Sequence, residues 1–153
     1  MKNILFILLF ISTSVFAQQN EKKWEKVIDF ENEGKTKSAN ELVEKIYKDA
    51  VSDKDEAEMI KCFFYHSKYL LLIDENAQTK ILNNLKTDIN RVSIPSKAIL
   101  NLVYAKCLND YFIQNNYSIR NRTNINTLND DFLTWTAVNF TAQINLILKK
   151  FRK

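Results

Sequence analysis

The chain has 153 residues, 26% of them charged, a formal net charge of +4, and only one Gly, one Pro, one His and two Cys. A single glycine excludes the glycine-rich loops that cradle phosphates, and one His with two Cys falls short of the converging ligands of a zinc or haem site, so neither metal nor cofactor is expected. The positive excess is small and interspersed with acids, as in Glu41 to Lys48, which is the pattern of a solvated helix face and not of a nucleic-acid binder.

The chain opens with Met1-Lys2-Asn3, an apolar run from Ile4 to Ile11, then Ser12-Thr13-Ser14-Val15-Phe16-Ala17 before the polar Gln18-Gln19-Asn20-Glu21. A short positive start, an apolar stretch too brief to span a bilayer and compact residues before a cut describe a secretory signal peptide over 1–17, cleaved between Ala17 and Gln18. No Cys stands at the cut, so a lipid anchor is not indicated. The expected setting is therefore the periplasm or the exterior, with no stable membrane span once the signal is removed. Residues 18–153 read as a single domain, long enough to bury one core. The scarcity of Gly and Pro disfavours a sheet with many turns and favours helices joined by polar links.

A first helix is expected from about Asn20 to Glu33, with Trp24, Val27 and Ile28 on one face and Gly34 just past its end. The next shows a capping-box pattern, Ser38 followed by Glu41, and a stripe of Ala39, Leu42, Val43, Ile46, Tyr47 and Ala50, with Lys45, Lys48 and Asp49 facing water. Asp53 followed by Glu56 signals a third start. That helix runs to about Ile73 and carries Ile60, Phe63, Phe64, Leu70 and Leu71 over an arc wide enough to need contact from two sides. A fourth, from about Ala77 to Arg91, presents the narrower stripe of Ile81, Leu82, Leu85 and Ile89. Ile94-Pro95 breaks the chain, and a fifth helix from Pro95 to about Asn115 carries Ala98, Ile99, Leu102, Val103, Leu108, Tyr111 and Phe112. The Phe63 helix and this one are expected to form the centre of the core. From about 116 to 135 the periodicity gives way to Asn, Thr, Asp and Arg, which favour turns. Phe140, Ile144, Ile147, Leu148 and Phe151 mark a last helix, whose basic end at 149–153 complements the helix dipole. The expected fold is all-α: antiparallel helical hairpins stacked in a right-handed array of about six helices, like that of tetratricopeptide repeats.

Candidates for chemistry are few. Cys62 and His66 lie four apart on one helix face, but two ligands do not close a metal site, and the pair reads as a satisfied histidine beside a buried thiol. Cys62 and Cys107 both sit in apolar helical stretches and read as buried free thiols, with a disulfide between them the alternative that an oxidising setting leaves open. The acid pairs Asp53 with Asp55, Asp74 with Glu75, and Asp130 with Asp131 read as caps and turns. In the irregular segment, Tyr117, Arg120, Arg122 and Trp135 are residue types that anchor interfaces, and a long loop is a common place for a contact surface. The competing reading is that Tyr117 and Trp135 pin the loop onto the helices.

Trp24 with Val27, Gly34 with Lys37-Ser38-Ala39, Val43 through Tyr47 with Ala50, Ile60-Lys61 with Lys68-Tyr69, Pro95 with Lys97 through Leu100, Ala105, Tyr111-Phe112 with Asn115, and Asn121-Arg122-Thr123 with Asp130-Asp131 and Trp135 occur in that order along most of the chain. In this pattern the sequence resembles the helical N-terminal region that precedes the macroglobulin domains in alpha-2-macroglobulin-like proteins of Bacteroidota. The resemblance implies an exported helical module belonging to a family of protease inhibitors with a bait region and often a Cys-Gly-Glu-Gln thioester. Neither Cys62-Phe63-Phe64-Tyr65 nor Cys107-Leu108-Asn109-Asp110 is such a thioester, and the chain ends at Lys153 before any β-domain. The expectation is a non-enzymatic interaction module with a protein partner in the cell envelope. The alternatives are a small envelope enzyme using His66 with Cys62 or a carboxylate, and a truncated remnant with no independent function.

Overall fold

A computed structural model describes residues 20–122 and 131–151. The fold is all-α, with no strand among the described residues. Helix α1 covers 20–32, and is followed by α2 (Thr36–Asp53), α3 (Glu56–Ile73), α4 (Ala77–Ile89), α5 (Ile94–Gln114), the short α6 (Asn116–Arg120), a 3-10 turn (Phe132–Thr134) and α7 (Ala137–Lys149). The chain falls into two compact units that divide between Ala77 and Gln78. The signal peptide and its cut between Ala17 and Gln18 lie outside the described residues.

The first unit is a three-helix bundle. Trp24 near the start of α1 meets Glu58 in the first turn of α3, while Glu31 near the end of α1 meets Lys68 and Tyr69 near the end of α3, so the two helices run parallel. Helix α2 runs against both: Lys23 pairs with Asp49 at 2.7 Å and Asn40 bonds His66. The core joins Trp24 and Val27 of α1, Ala39, Val43 and Ile46 of α2, and Cys62 and Tyr69 of α3, with Phe30, Leu42, Tyr47 and Tyr65 packed around it. Ala39, Leu42, Val43 and Ile46 of α2 fall at i, i+3, i+4 and i+7, while α1 and α3 add the narrower rows of Trp24, Val27 and Phe30 and of Cys62, Tyr65 and Tyr69.

Both links in this unit close in the same way. At the end of α1, Gly34 takes φ +71 and donates to the Glu31 carbonyl while Lys35 donates to that of Phe30. At the end of α2, Lys54 takes φ +57 and donates to Val51 while Asp55 donates to Ala50. These are paired Schellman closures, one with the glycine that the left-handed region favours and one without. They also fix where the next helices begin. Lys35 is at once the third residue past α1 and the N-cap of α2, so α2 starts at Thr36, and the Ser38 and Glu41 capping box is not its start. Likewise Asp55, not Asp53, caps α3 and accepts from the Glu58 amide at 3.0 Å.

In the second unit, Gln78 at the start of α4 bonds Gln114 at the end of α5, which makes these helices antiparallel. Helix α4 buries Ile81, Leu82, Leu85 and Ile89, the stripe expected from its spacing. Helix α5 buries Leu100, Tyr104, Ala105 and Leu108, whereas Ile99 and Leu102 are 50% and 45% exposed. The expected register of α5 is therefore rotated from the observed one. Tyr111 and Phe112 of α5, Phe132 and Trp135 of the turn, and Phe140 of α7 form an aromatic cluster with centroid separations of 5.2–6.0 Å. Thr136 caps α7 in a reciprocal box with Asn139. Among the described residues, no helix is long and apolar enough to cross a membrane.

Because an L-residue in the left-handed region costs about 1–2 kcal/mol and a glycine in the unfolded chain costs about 0.4–1 kcal/mol in entropy, the two Schellman closures predict opposite responses. Urea unfolding of Gly34→Ala, whose new methyl meets open space, should show a loss of about 0.5–1 kcal/mol, and Lys54→Gly a gain of similar size. Equal signs for the two variants would contradict these backbone assignments.

Candidate functional site

The parallel pairing of α1 and α3 leaves an open groove of about 400 Å³ between them, lined by Glu21, Trp24, Glu25, Ile28, Asp29, Lys61 and Tyr65. Its floor is aromatic. The Trp24 indole N–H donates to the Glu58 carboxylate, and the Tyr65 ring lies 4.7 Å from the Trp24 ring, tilted by 52°. The Lys61 ammonium sits over the Trp24 ring, 3.9 Å from its centroid, close enough for a cation–π contact. The α1 wall carries Glu21, Glu25 and Asp29, one carboxylate per turn, all exposed. Val27 points into the core and Trp24 and Ile28 turn toward the groove, so the helical repeat carries the acids to its outer lip.

At the lower end of the same seam, Glu31 accepts from Lys68 at 2.5 Å and from the Tyr69 hydroxyl at 2.7 Å. The Lys68 bond, then the Tyr69 bond, hold the Glu31 carboxyl below its usual range. Burial, and then the Glu31 carboxylate, push the Tyr69 phenol well above its ordinary value, so it remains a neutral donor. Lys68 also lies 5.9 Å and 5.8 Å from the Tyr65 and Tyr69 rings. The seam is thus a ladder of aromatic rings and lysines closed at each end by a carboxylate.

The four sequence-predicted contact residues divide into two pairs. Tyr117 is 86% exposed and Arg120, one turn on, is exposed beside it on α6. Trp135 is buried against Phe140 at 5.3 Å, and the Arg122 guanidinium donates to the Trp135 carbonyl at 2.7 Å. Arg122 and Trp135 therefore hold the turn within the second unit, so the pinning alternative holds for Trp135 but not for Tyr117, which stands in solvent with Arg120. The five residues of α6 also interrupt the segment expected to be irregular, with Ile119 fully buried beneath them.

The reactive candidates are occupied or quenched. Burial, reinforced by the charge of Glu58, pushes the Cys62 thiol up to about 12, and burial raises Cys107 as well. Both are free thiols. His66 Nδ1 lies 2.7 Å from the Asn40 amide oxygen and 3.9 Å from Glu44, and the Asn40 amide nitrogen donates to Glu44 at 3.3 Å. Because the amide oxygen accepts, Nδ1 carries the proton, and the imidazole serves to tie α3 to α2. Among the described residues no group of three His, Cys, Asp or Glu side chains could hold a metal ion.

A groove of this kind was legible only in part. Trp24 and Ile28 appear in the sequence as one helix face, and the run Glu21, Glu25, Asp29 at i, i+4 and i+8 flanks that face. What the sequence does not carry is the parallel partner, α3, that supplies Lys61 and Tyr65.

The raised thiol predicts slow chemistry at Cys62: a group held at about 12 presents, at pH 8, roughly a thousandth of the thiolate of an ordinary cysteine. Iodoacetamide at pH 8 should leave Cys62 unmodified in the native protein and alkylate it in urea, as read by peptide mass spectrometry. Rapid native labelling of Cys62 would restore it as a nucleophile. Compared with protein-family models, with curated proteins and with solved structures, the chain matches none of them.

Proposed function

We propose that the chain is a non-enzymatic helical binding module of the cell envelope, which holds a segment of a protein partner in the groove between α1 and α3. The observation that carries this reading is the groove itself: an aromatic floor of Trp24 and Tyr65 beside three carboxylates, with no activated nucleophile among its lining residues. Aromatic groups at an open surface supply rigid contact area at little entropic cost, which suits recognition better than turnover. The protonated Cys62 and the His66 tied to Asn40 favour the same reading over an envelope enzyme. A second contact is offered by α6, where Tyr117 and Arg120 share an exposed face.

The exported setting is proposed from the signal-peptide pattern at 1–17, and kinship with the helical N-terminal region of alpha-2-macroglobulin-like proteins from the ordered residues that carry the resemblance. Protease trapping is no part of the proposal, because the resemblance covers the helical region alone.

Site-specific photocrosslinking in the native envelope tests the module. A benzophenone amino acid replacing Ile28 in the groove or Tyr117 on α6 should yield a discrete adduct with one protein, and the same group at the outward-facing Lys48 should not. Absence of an adduct from both Ile28 and Tyr117, or equal adducts from all three positions, would count against a binding module.

A further inference from the structure

Resting on that reading, the geometry points to a partner segment rich in lysine or arginine: we propose that one of its cations takes the seat over Trp24 now held by Lys61, and that others pair with Glu21, Glu25 and Asp29.

Charge carries the first part of the argument. The chain as a whole is basic, at +4, yet the groove sets three carboxylates against one ammonium. Among the described residues none of the three carboxylates has a cationic partner, whereas Asp49, Glu31 and Asp110 elsewhere are paired with lysines. A lip of free acids on a basic protein attracts a cationic segment and repels an acidic one.

Spacing carries the second part. Carboxylates four residues apart on a helix rise by about 6 Å per step. Alternate side chains of an extended chain are separated by about 6.6 Å. An extended segment with a cation at every second position therefore keeps register along the α1 wall.

Lys61 carries the third. Its ammonium lies 3.9 Å from the centre of the Trp24 ring, so the ring face already accepts a cation of this kind. The ring cannot swing away, since Glu58 holds its N–H and Tyr65 flanks it. Lys61 is exposed and has no carboxylate partner among the described residues, so it is a resident that a partner's cation can displace without breaking an ion pair.

The test is a titration of a fluorescein-labelled hexalysine peptide with the chain from Gln18 to Lys153, read by anisotropy at low and physiological salt, with a hexaglutamate peptide beside it. Saturable binding of hexalysine alone is expected. Glu25→Gln with Asp29→Asn should weaken it by about fivefold or more, while an equal charge change on α2, Glu41→Gln with Asp53→Asn, should move it by less than about twofold. Lys61→Ala should tighten binding by roughly twofold to fivefold, because a competing cation has gone. Thermal melts accompany each variant, and Lys61→Gln, which keeps part of the stem, replaces Lys61→Ala if the latter melts early. No saturable binding, equal losses in both double variants, or weaker binding without Lys61 would each overturn the proposal. If hexalysine fails while Ile28 or Tyr117 still crosslinks a protein, the module stands and its partner has another chemistry; if both fail, the module falls as well.

Discussion

The hydrogen bond from the Trp24 indole to Glu58 is the constraint on which the first unit depends. Helix α1 brings a narrow apolar stripe to the bundle, and Trp24 is its largest member. A buried indole N–H without a partner costs about 1–3 kcal/mol, so α1 docks best where a carboxylate or carbonyl waits. Glu58 waits in the first turn of α3, where a negative charge is favoured by the helix dipole and where Asp55 has already taken the capping role. That bond shares the register of α1 on α3 with the apolar core and with the contacts of Glu31. In the same register Glu31 lies opposite Lys68 and Tyr69 of α3, and Lys23 lies opposite Asp49 of α2.

The groove is a consequence of this register. Parallel helices bring like ends together, so the acids along the outer face of α1 line the groove with Lys61 and Tyr65 beside the ring of Trp24 instead of being neutralised by a matching row of lysines. The same packing that builds the groove silences the chemistry beneath it. Cys62 lies on the α3 face turned into the core, where burial keeps its thiol protonated, and His66, one turn on, is spent on the link to Asn40. Structure and reactivity thus divide between two faces of α3: the inner one is inert and the outer one is available.

The sequence disclosed the helices better than their edges or rotations. Helix α4 was readable because its apolar residues form one narrow stripe, Ile81, Leu82, Leu85 and Ile89, and all four are buried. Helix α5 was not, because it is apolar nearly all round: a stripe through Ile99 and Leu102 fits the spacing as well as the observed one through Leu100, Tyr104 and Leu108, and only the packing decides. The starts of α2 and α3 differ from the expected ones for a local reason. Asp53 with Glu56 and Asp55 with Glu58 obey the same pattern, and the left-handed turn at Lys54, a residue that gives no sign of it, selects the second. Of the residues singled out as a contact surface, Trp135 and Arg122 satisfy each other within the second unit, while Tyr117 and Arg120 remain free to meet a partner. Composition identified interface-type residues there but could not tell an anchor for the loop from an anchor for another protein.

Emission from Trp24 measures the central claim most directly. Trp135 is the only other tryptophan, and Trp135→Phe keeps an aromatic ring against Phe140, so the variant reports on the groove alone. Displacement of Lys61 from the ring by a lysine-rich segment changes the charge over the indole, and the account predicts a saturable change in the intensity or wavelength of Trp24 emission that salt reverses. Emission that stays constant while the segment demonstrably binds would place the contact elsewhere and contradict the account.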